Sequence, residues 1–179
     1  MNNYYKHLNL PFENKLSLVD MQQAHIKLDR QLIDPAFVAW LDSLDIVIGF
    51  SEIFKKQPGE DFPHSLHLDG DVFDDHVKIN FVVNPGSSVM RWWRLKPGKE
   101  HQKKTTIVGT SYLWAYRDDC DLVAESKLLR PALVNGGQLH NVEQVDTVRL
   151  CYSFMLLHKK TQNRLLWNEA VEIFKDYIE

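Results

Sequence analysis

Residues 147–157 read TVRLCYSFMLL, and the alternation inside this run decides the fold class. Successive side chains of a strand point to opposite faces. Val148, Leu150, Tyr152 and Phe154 therefore form one face, and Arg149, Cys151, Ser153 and Met155 the other. The first face is apolar and needs cover. The second carries a guanidinium and a hydroxyl where an ordinary core would hold Val or Leu. Burying a guanidinium is costly unless an anion meets it. Two readings stand open: this face lines a pocket for an anionic ligand, or Arg149 pairs with one of the chain's own carboxylates.

Working outward, five more β-branched and aromatic runs share this texture: DIVIGFSEIF (45–54), HVKINFVV (76–83), SSVMRWWRL (87–95), TTIVGTSYLWAY (105–116) and PALVN (131–135). Asn84-Pro85-Gly86, Lys96-Pro97-Gly98 and Asn135-Gly136-Gly137 punctuate them, each offering a preset φ or a residue tolerant of positive φ. The runs predict an all-β core over residues 44–157, with antiparallel strands closing into a sandwich or barrel. Residues 1–43 and 158–179 flank it. The first flank predicts helical turns, with apolar positions at Leu18, Met21 and residues 25–28, then Ala36, Val38, Trp40 and Leu41. Between 161 and 179 the period becomes 3.6, and Leu166, Ala170, Ile173, Phe174 and Tyr177 share one helix face that should lie against a sheet.

Composition limits the function classes. The chain has 179 residues, 44% of them apolar, and a formal net charge of −3, which fits one domain with its own core, spanning 1–179. No apolar run approaches the ~18 residues of a membrane span, so no membrane partner is expected. The acidic balance removes the broad attraction to phosphate on which nucleic-acid binders rely. The opening MNNYYKHLNL lacks the features of a signal or transit peptide. Cys120 and Cys151 cannot build a disulfide framework. Both point to a reducing, cytoplasmic location.

Among the eight histidines only His67 has an acid two positions later, in HSLHLDGD (64–71). On an extended segment these positions project to the same side, so His67 and Asp69 can reach one metal ion. Composition alone produces about one such pair by chance, and the order of the chain adds the rest. His140 follows 71 residues after Asp69, just past Gly136-Gly137, and Arg149 comes nine residues later.

This ordered set resembles the iron(II)- and 2-oxoglutarate-dependent oxygenases, whose pattern is His-x-Asp, several strands, a distal His, and a strand-borne Arg about ten residues on. The match is His67-Leu68-Asp69, His140 and Arg149. VKINFVVNPG, the Trp-rich strand ending in RLKPG, and LVNGGQLHNV are also similar to that superfamily, over residues 45–157. The resemblance implies a double-stranded β-helix, or jelly roll, with flanking helices. It implies iron(II) held by His67, Asp69 and His140, and 2-oxoglutarate whose far carboxylate meets Arg149 in a charge-assisted pair. Dioxygen would be the oxidant, with oxidative decarboxylation of the co-substrate coupled to hydroxylation of a small molecule or a protein side chain. The interval lengths and the LHNVEQ segment look most like prolyl or aspartyl/asparaginyl hydroxylase-type members. Where many members carry Arg-x-Ser, this chain has Cys151, and a thiol is a poorer donor. Ser153, about 7 Å further along the same face, is the candidate substitute, and Asn80 on a neighbouring strand is a further candidate for the co-substrate.

Other residues read as structural. His64 and His76 lack an acid at i+2. Asp71, Asp74 and Asp75 lack the spacing of a calcium loop. Trp92, Trp93, Trp114 and Tyr116 sit at strand spacing and read mainly as core, and carboxylates around Cys120 disfavour its thiolate. Loops 54–66 and 96–104 are expected to choose the substrate. Two rivals remain: a cupin-like metalloenzyme that does not use 2-oxoglutarate, and a non-catalytic jelly-roll module that binds sugar or protein.

Overall fold

A computed structural model describes residues 3–13, 15–16, 20–60 and 65–179; the expectations resting on Leu18, on His64 and on part of loop 54–66 lie outside them. Among the described residues twelve strands form two six-stranded antiparallel sheets. They are β1 (Tyr5–His7), β2 (His25–Lys27), β3 (Ile46–Lys56), β4 (Ser65–Leu68), β5 (Val77–Val83) and β6 (Val89–Leu95). Then follow β7 (Gln102–Thr105), β8 (Ser111–Tyr116), β9 (Cys120–Ser126), β10 (Ala132–Asn135), β11 (His140–Glu143) and β12 (Arg149–His158). One sheet has the order β1-β10-β5-β12-β3-β2 and the other β7-β8-β4-β11-β6-β9. The chain alternates between them from β3 to β6 and again from β9 to β12.

β12 is paired on both edges, with β3 and β5, so its two faces govern both sides of the first sheet. Leu150, Tyr152, Phe154 and Leu156 are buried with Ile79, Phe81 and Leu133. Two helices cover that face: α1 (Pro35–Ser43) supplies Phe37, Trp40 and Leu41, and α2 (Trp167–Ile173) supplies Ala170, with Phe174 just beyond it. The Phe37 ring meets the rings of Phe154 and Phe81 edge-on, at 5.0 and 5.2 Å. Asp34 caps α1 by accepting from the Ala36 N–H at 2.8 Å, with Pro35 in the first turn. Among the described residues no helix is long and apolar enough to cross a membrane.

The register of β3 against β12 slips between Met155↔Phe50 and Leu156↔Ile48, leaving Gly49 as a bulge. A Cβ there would meet Leu157 Cδ1 at 2.6 Å, so a larger residue would have to push the Leu157 side chain aside. The bulge changes the phase of the strand. Ile46 and Ile48 pack toward the helices before it, Ile53 does so after it, and Phe50, Glu52 and Phe54 turn to the space between the sheets.

Three local expectations differ from the structure. The run 105–116 is broken by a turn in which Thr106 N–H donates to the Thr110 carbonyl at 2.9 Å and Gly109 takes φ +83°. Residues 25–27 form an edge strand against β3 rather than helical turns, because His25 gains a buried partner there. The last helix starts at Trp167, not at 161, since Arg164 and Leu166 are held in bridges to Leu157 and His76. The polar or short strands β4, β9 and β11 carry no run strong enough to announce them.

Phe154→Ala removes a ring that is 1% exposed and is expected to cost about 3–5 kcal/mol in urea unfolding. Leu32→Ala, at a residue 71% exposed, should stay within about 0.5 kcal/mol of the parent chain.

Candidate metal centre

β4 and β11 pair antiparallel with His67 directly opposite His140. Their rings lie 4.5 Å apart at 53°. Asp69 follows β4 by one residue, and its backbone N–H donates to the Gly136 carbonyl at 2.8 Å, which ties the end of β4 to the turn between β10 and β11. Asp69 Oδ1 is 3.9 Å from His67 Nε2, and Oδ2 is 3.7 Å from His140 Nε2. These separations are too long for hydrogen bonds, yet the three ligand atoms all lie within 4.8 Å of one another. His140 Nδ1 is 2.8 Å from the Gln138 carbonyl. A carbonyl only accepts, so Nδ1 carries a proton and Nε2 is the nitrogen left to serve as a ligand.

The turn at Gly136-Gly137 serves the site through space rather than through positive φ. A Cβ on Gly136 would sit 3.0 Å from His76 Nε2 and 3.1 Å from Asp69 Oδ2, and one on Gly137 would run into the Asp74 carbonyl oxygen. Neither glycine is among the positive-φ residues.

A line of alternating charge runs from the triad into the first sheet. Lys78 Nζ is 3.2 Å from Asp69 Oδ2 and 3.6 Å from Glu52 Oε2, and the other Glu52 oxygen is 2.7 Å from His25 Nε2. Burial alone would raise the Asp69 pKa, but Lys78 foremost, with both imidazoles, holds the carboxyl well below its usual range. Burial pulls the Lys78 pKa down, and Asp69 and Glu52 reverse this and raise it. Burial and the neighbouring His140 hold His67 well below its ordinary value, so its imidazole is neutral and able to act as a ligand.

Two chambers share His67 and Asp69 as common wall. The smaller, about 320 Å³, is lined by Asn80, Arg149, Cys151 and Ser153, along with His140. All four project from the inner faces of β5 and β12, where Asn80 stands opposite Ser153. Arg149 is 5% exposed and its Nε is buried without a hydrogen-bond partner, as is Asn80 Oδ1. Among the described residues Arg149 forms no ion pair with a carboxylate. Of the two readings of Arg149, internal pairing is thus not found there. Burial raises the Cys151 pKa against the pull of Arg149 and Lys78, so this thiol is neutral at pH 7. The larger chamber, about 620 Å³, is walled by Phe50, Glu52, Phe54, Tyr112 and Met155, with His25.

His76 lines the larger chamber beside Asp69 but is not one of the three converging ligands. It is 1% exposed and its Nδ1 is 2.5 Å from Asp74 Oδ1, while Arg164 holds the other Asp74 oxygen at 3.0 Å. Asp71 pairs with Lys103 and Asp75 with Gln138, so the acidic loop is tied into its surroundings. Trp92, Trp93 and Trp114 are buried, and Trp93 Nε1 donates to Asn141 Oδ1 at 2.9 Å. Burial, reinforced by Asp119, lifts the Cys120 thiol to about 11. The segment expected at 96–104 lines neither chamber; residues 106–112 do so instead, around the unanticipated turn. Glu52 and His25 were hidden in the sequence by the Gly49 bulge and by distance along the chain. Lys78 had one signal: it shares a strand face with Asn80.

The chain matches no protein-family model, and comparison with curated proteins and with solved structures finds no match.

Gly137→Ala forces a methyl group against a backbone carbonyl and is expected to cost about 1–3 kcal/mol in urea unfolding. Gly59→Ala, where nothing lies within 4 Å and only φ +74° opposes it, should cost no more than about 1–2 kcal/mol.

Proposed function

We propose that this chain is a double-stranded β-helix oxygenase that uses iron(II) and 2-oxoglutarate. The observation that carries the reading is the coincidence of two features. Two imidazoles and one carboxylate converge on a point, and a buried guanidinium with no carboxylate partner among the described residues shares a chamber with them. The alternation of the chain between two antiparallel sheets supports the jelly-roll assignment.

The residues fit the groups that the reading requires. His67, Asp69 and His140 form the two-nitrogen, one-oxygen donor set suited to a ferrous ion with open positions. Arg149 lacks an anion, and a carboxylate of 2-oxoglutarate supplies one in a charge-assisted pair. Ser153 adds a hydroxyl donor on the same face. Asn80 carries both a donor and an acceptor, so rotation of its amide can turn the NH₂ toward that carboxylate. When bound, the ferrous ion and 2-oxoglutarate supply the oxidising chemistry: dioxygen is consumed, 2-oxoglutarate becomes succinate and carbon dioxide, and one oxygen atom enters the substrate.

The protein's contribution is placement and exclusion of water. The smaller chamber holds the co-substrate between β5 and β12. The larger chamber has room for a small molecule or a single protein side chain, with Phe50, Phe54 and Met155 giving it apolar walls. Because both chambers end on His67 and Asp69, co-substrate and substrate meet at the same ligands from different sides. Within the class, the prolyl or aspartyl/asparaginyl hydroxylase-type subclass is the one favoured by the spacing of the motifs.

The test is anaerobic addition of Fe(II) and then 2-oxoglutarate to the full chain, followed by visible spectroscopy. A weak charge-transfer band from the chelated keto acid is expected. Folded protein that binds iron without giving the band points to the cupin-like enzyme, and protein that binds no iron points to the binding module. His140→Ala should abolish metal-dependent conversion of 2-oxoglutarate to succinate. Arg149→Ala should retain iron while losing about 2–5 kcal/mol of co-substrate binding, read by titration of the band.

A further inference from the structure

Lys78 is the one residue of the charged line that touches both the ligand triad and a second anion. Its side chain is 8% exposed and Glu52's is 4% exposed, so neither group can turn to solvent when its surroundings change. The Asp69 oxygen that Lys78 holds at 3.2 Å is Oδ2, the same oxygen that faces His140 Nε2. A divalent ion coordinated by that oxygen would lie about 2.1 Å from it. With the ammonium where it stands, the two cations would then be no more than about 5.3 Å apart, a separation at which they repel strongly in a partly buried site. Glu52 Oε2, 3.6 Å from Lys78 Nζ, is the nearest alternative anion, and His25 steadies it from the far side.

We propose that Lys78 is an internal counter-cation for the metal site: in the metal-free protein it is shared between Asp69 and Glu52, and a divalent metal binding at the triad drives it onto Glu52. Lys78 then lowers metal affinity and Glu52 raises it, although neither residue is a ligand. The ammonium balances the Asp69 charge and holds its Oδ2 in place until the metal arrives. Glu52 makes the exchange possible, since without it the displaced charge would have no partner. Both are positioning residues, and the inference rests on the metal-site reading above.

The two opposite signs provide the test. Co(II) alone is titrated calorimetrically into the full chain and its variants, without 2-oxoglutarate. Lys78→Met should tighten Co(II) binding about tenfold, and Glu52→Gln should weaken it about tenfold, as expected for removing one charge of either sign a few ångströms from the ion. A purely structural role would weaken binding in both. The double variant Lys78→Met/Glu52→Gln should lose the weakening seen in Glu52→Gln and bind Co(II) at least as tightly as the parent chain, because Glu52 acts through Lys78, and it decides the matter if a single variant does not fold. Equal or weakened binding in Lys78→Met, or a double variant that binds more weakly than the parent, overturns the proposal. A parent chain that binds no Co(II) overturns the metal-site reading itself, and this proposal with it.

Discussion

The pairing of two short strands, β4 and β11, is the constraint on which the remaining arrangement depends, because it sets His67 directly opposite His140. Facing residues of an antiparallel pair stand close enough for their side chains to touch, and a slip of one residue would send one imidazole to the other side of the sheet. The register does not rest on four residues alone. β11 is also paired with β6, and β4 with β8. On the far side of the same sheet Leu66, Leu68, Trp93 and Leu113 pack into a separate apolar cluster. The alternation that turns Leu66 and Leu68 into that cluster turns His67 the opposite way. The apolar neighbours of the histidine thus fix its direction.

The two chambers differ in how their charges are arranged. In the larger one, each buried charged side chain of the line has a partner: Asp69 with Lys78, Lys78 with Glu52, Glu52 with His25. In the smaller one Arg149 has a buried Nε without a partner, beside an unsatisfied Asn80 oxygen. Buried ion pairs hold a local geometry with little net gain in stability, whereas a buried donor left without a partner imposes a standing cost that an anionic ligand can relieve. The asymmetry is consistent with a rigid wall on one side and a receptive one on the other.

Much of the fold could be read from periodicity. The alternation in TVRLCYSFMLL separates the helix-covered face of β12 from the chamber face correctly, because hydrophobicity changes sign at every step. β3, β5, β6 and β10 show as apolar runs for the same reason. β4, β9 and β11 do not, since four-residue strands and a mostly exposed edge strand carry little pattern. The turn inside 105–116 has little signature because its residues are themselves β-formers, with only Gly109 to mark it. His67, Asp69, His140 and Arg149 could be singled out by type and order. Glu52 and His25 could not, and Lys78 only through the strand face it shares with Asn80, because their pairing joins three strands far apart in sequence and depends on a bulge that no propensity scale registers.

That single extra residue at Gly49 has a wider meaning for how such a chain can change. Its neighbours Ile48 and Phe50 face Leu156 and Met155 of β12, which are themselves adjacent, so losing the Gly49 codon would leave those pairs in ordinary alternation with Phe50, Glu52 and Phe54 still looking inward. A length change of this kind straightens the strand and leaves the wall as it was. Descendants of such a chain could shed the bulge in one deletion event without acquiring a differently charged interior.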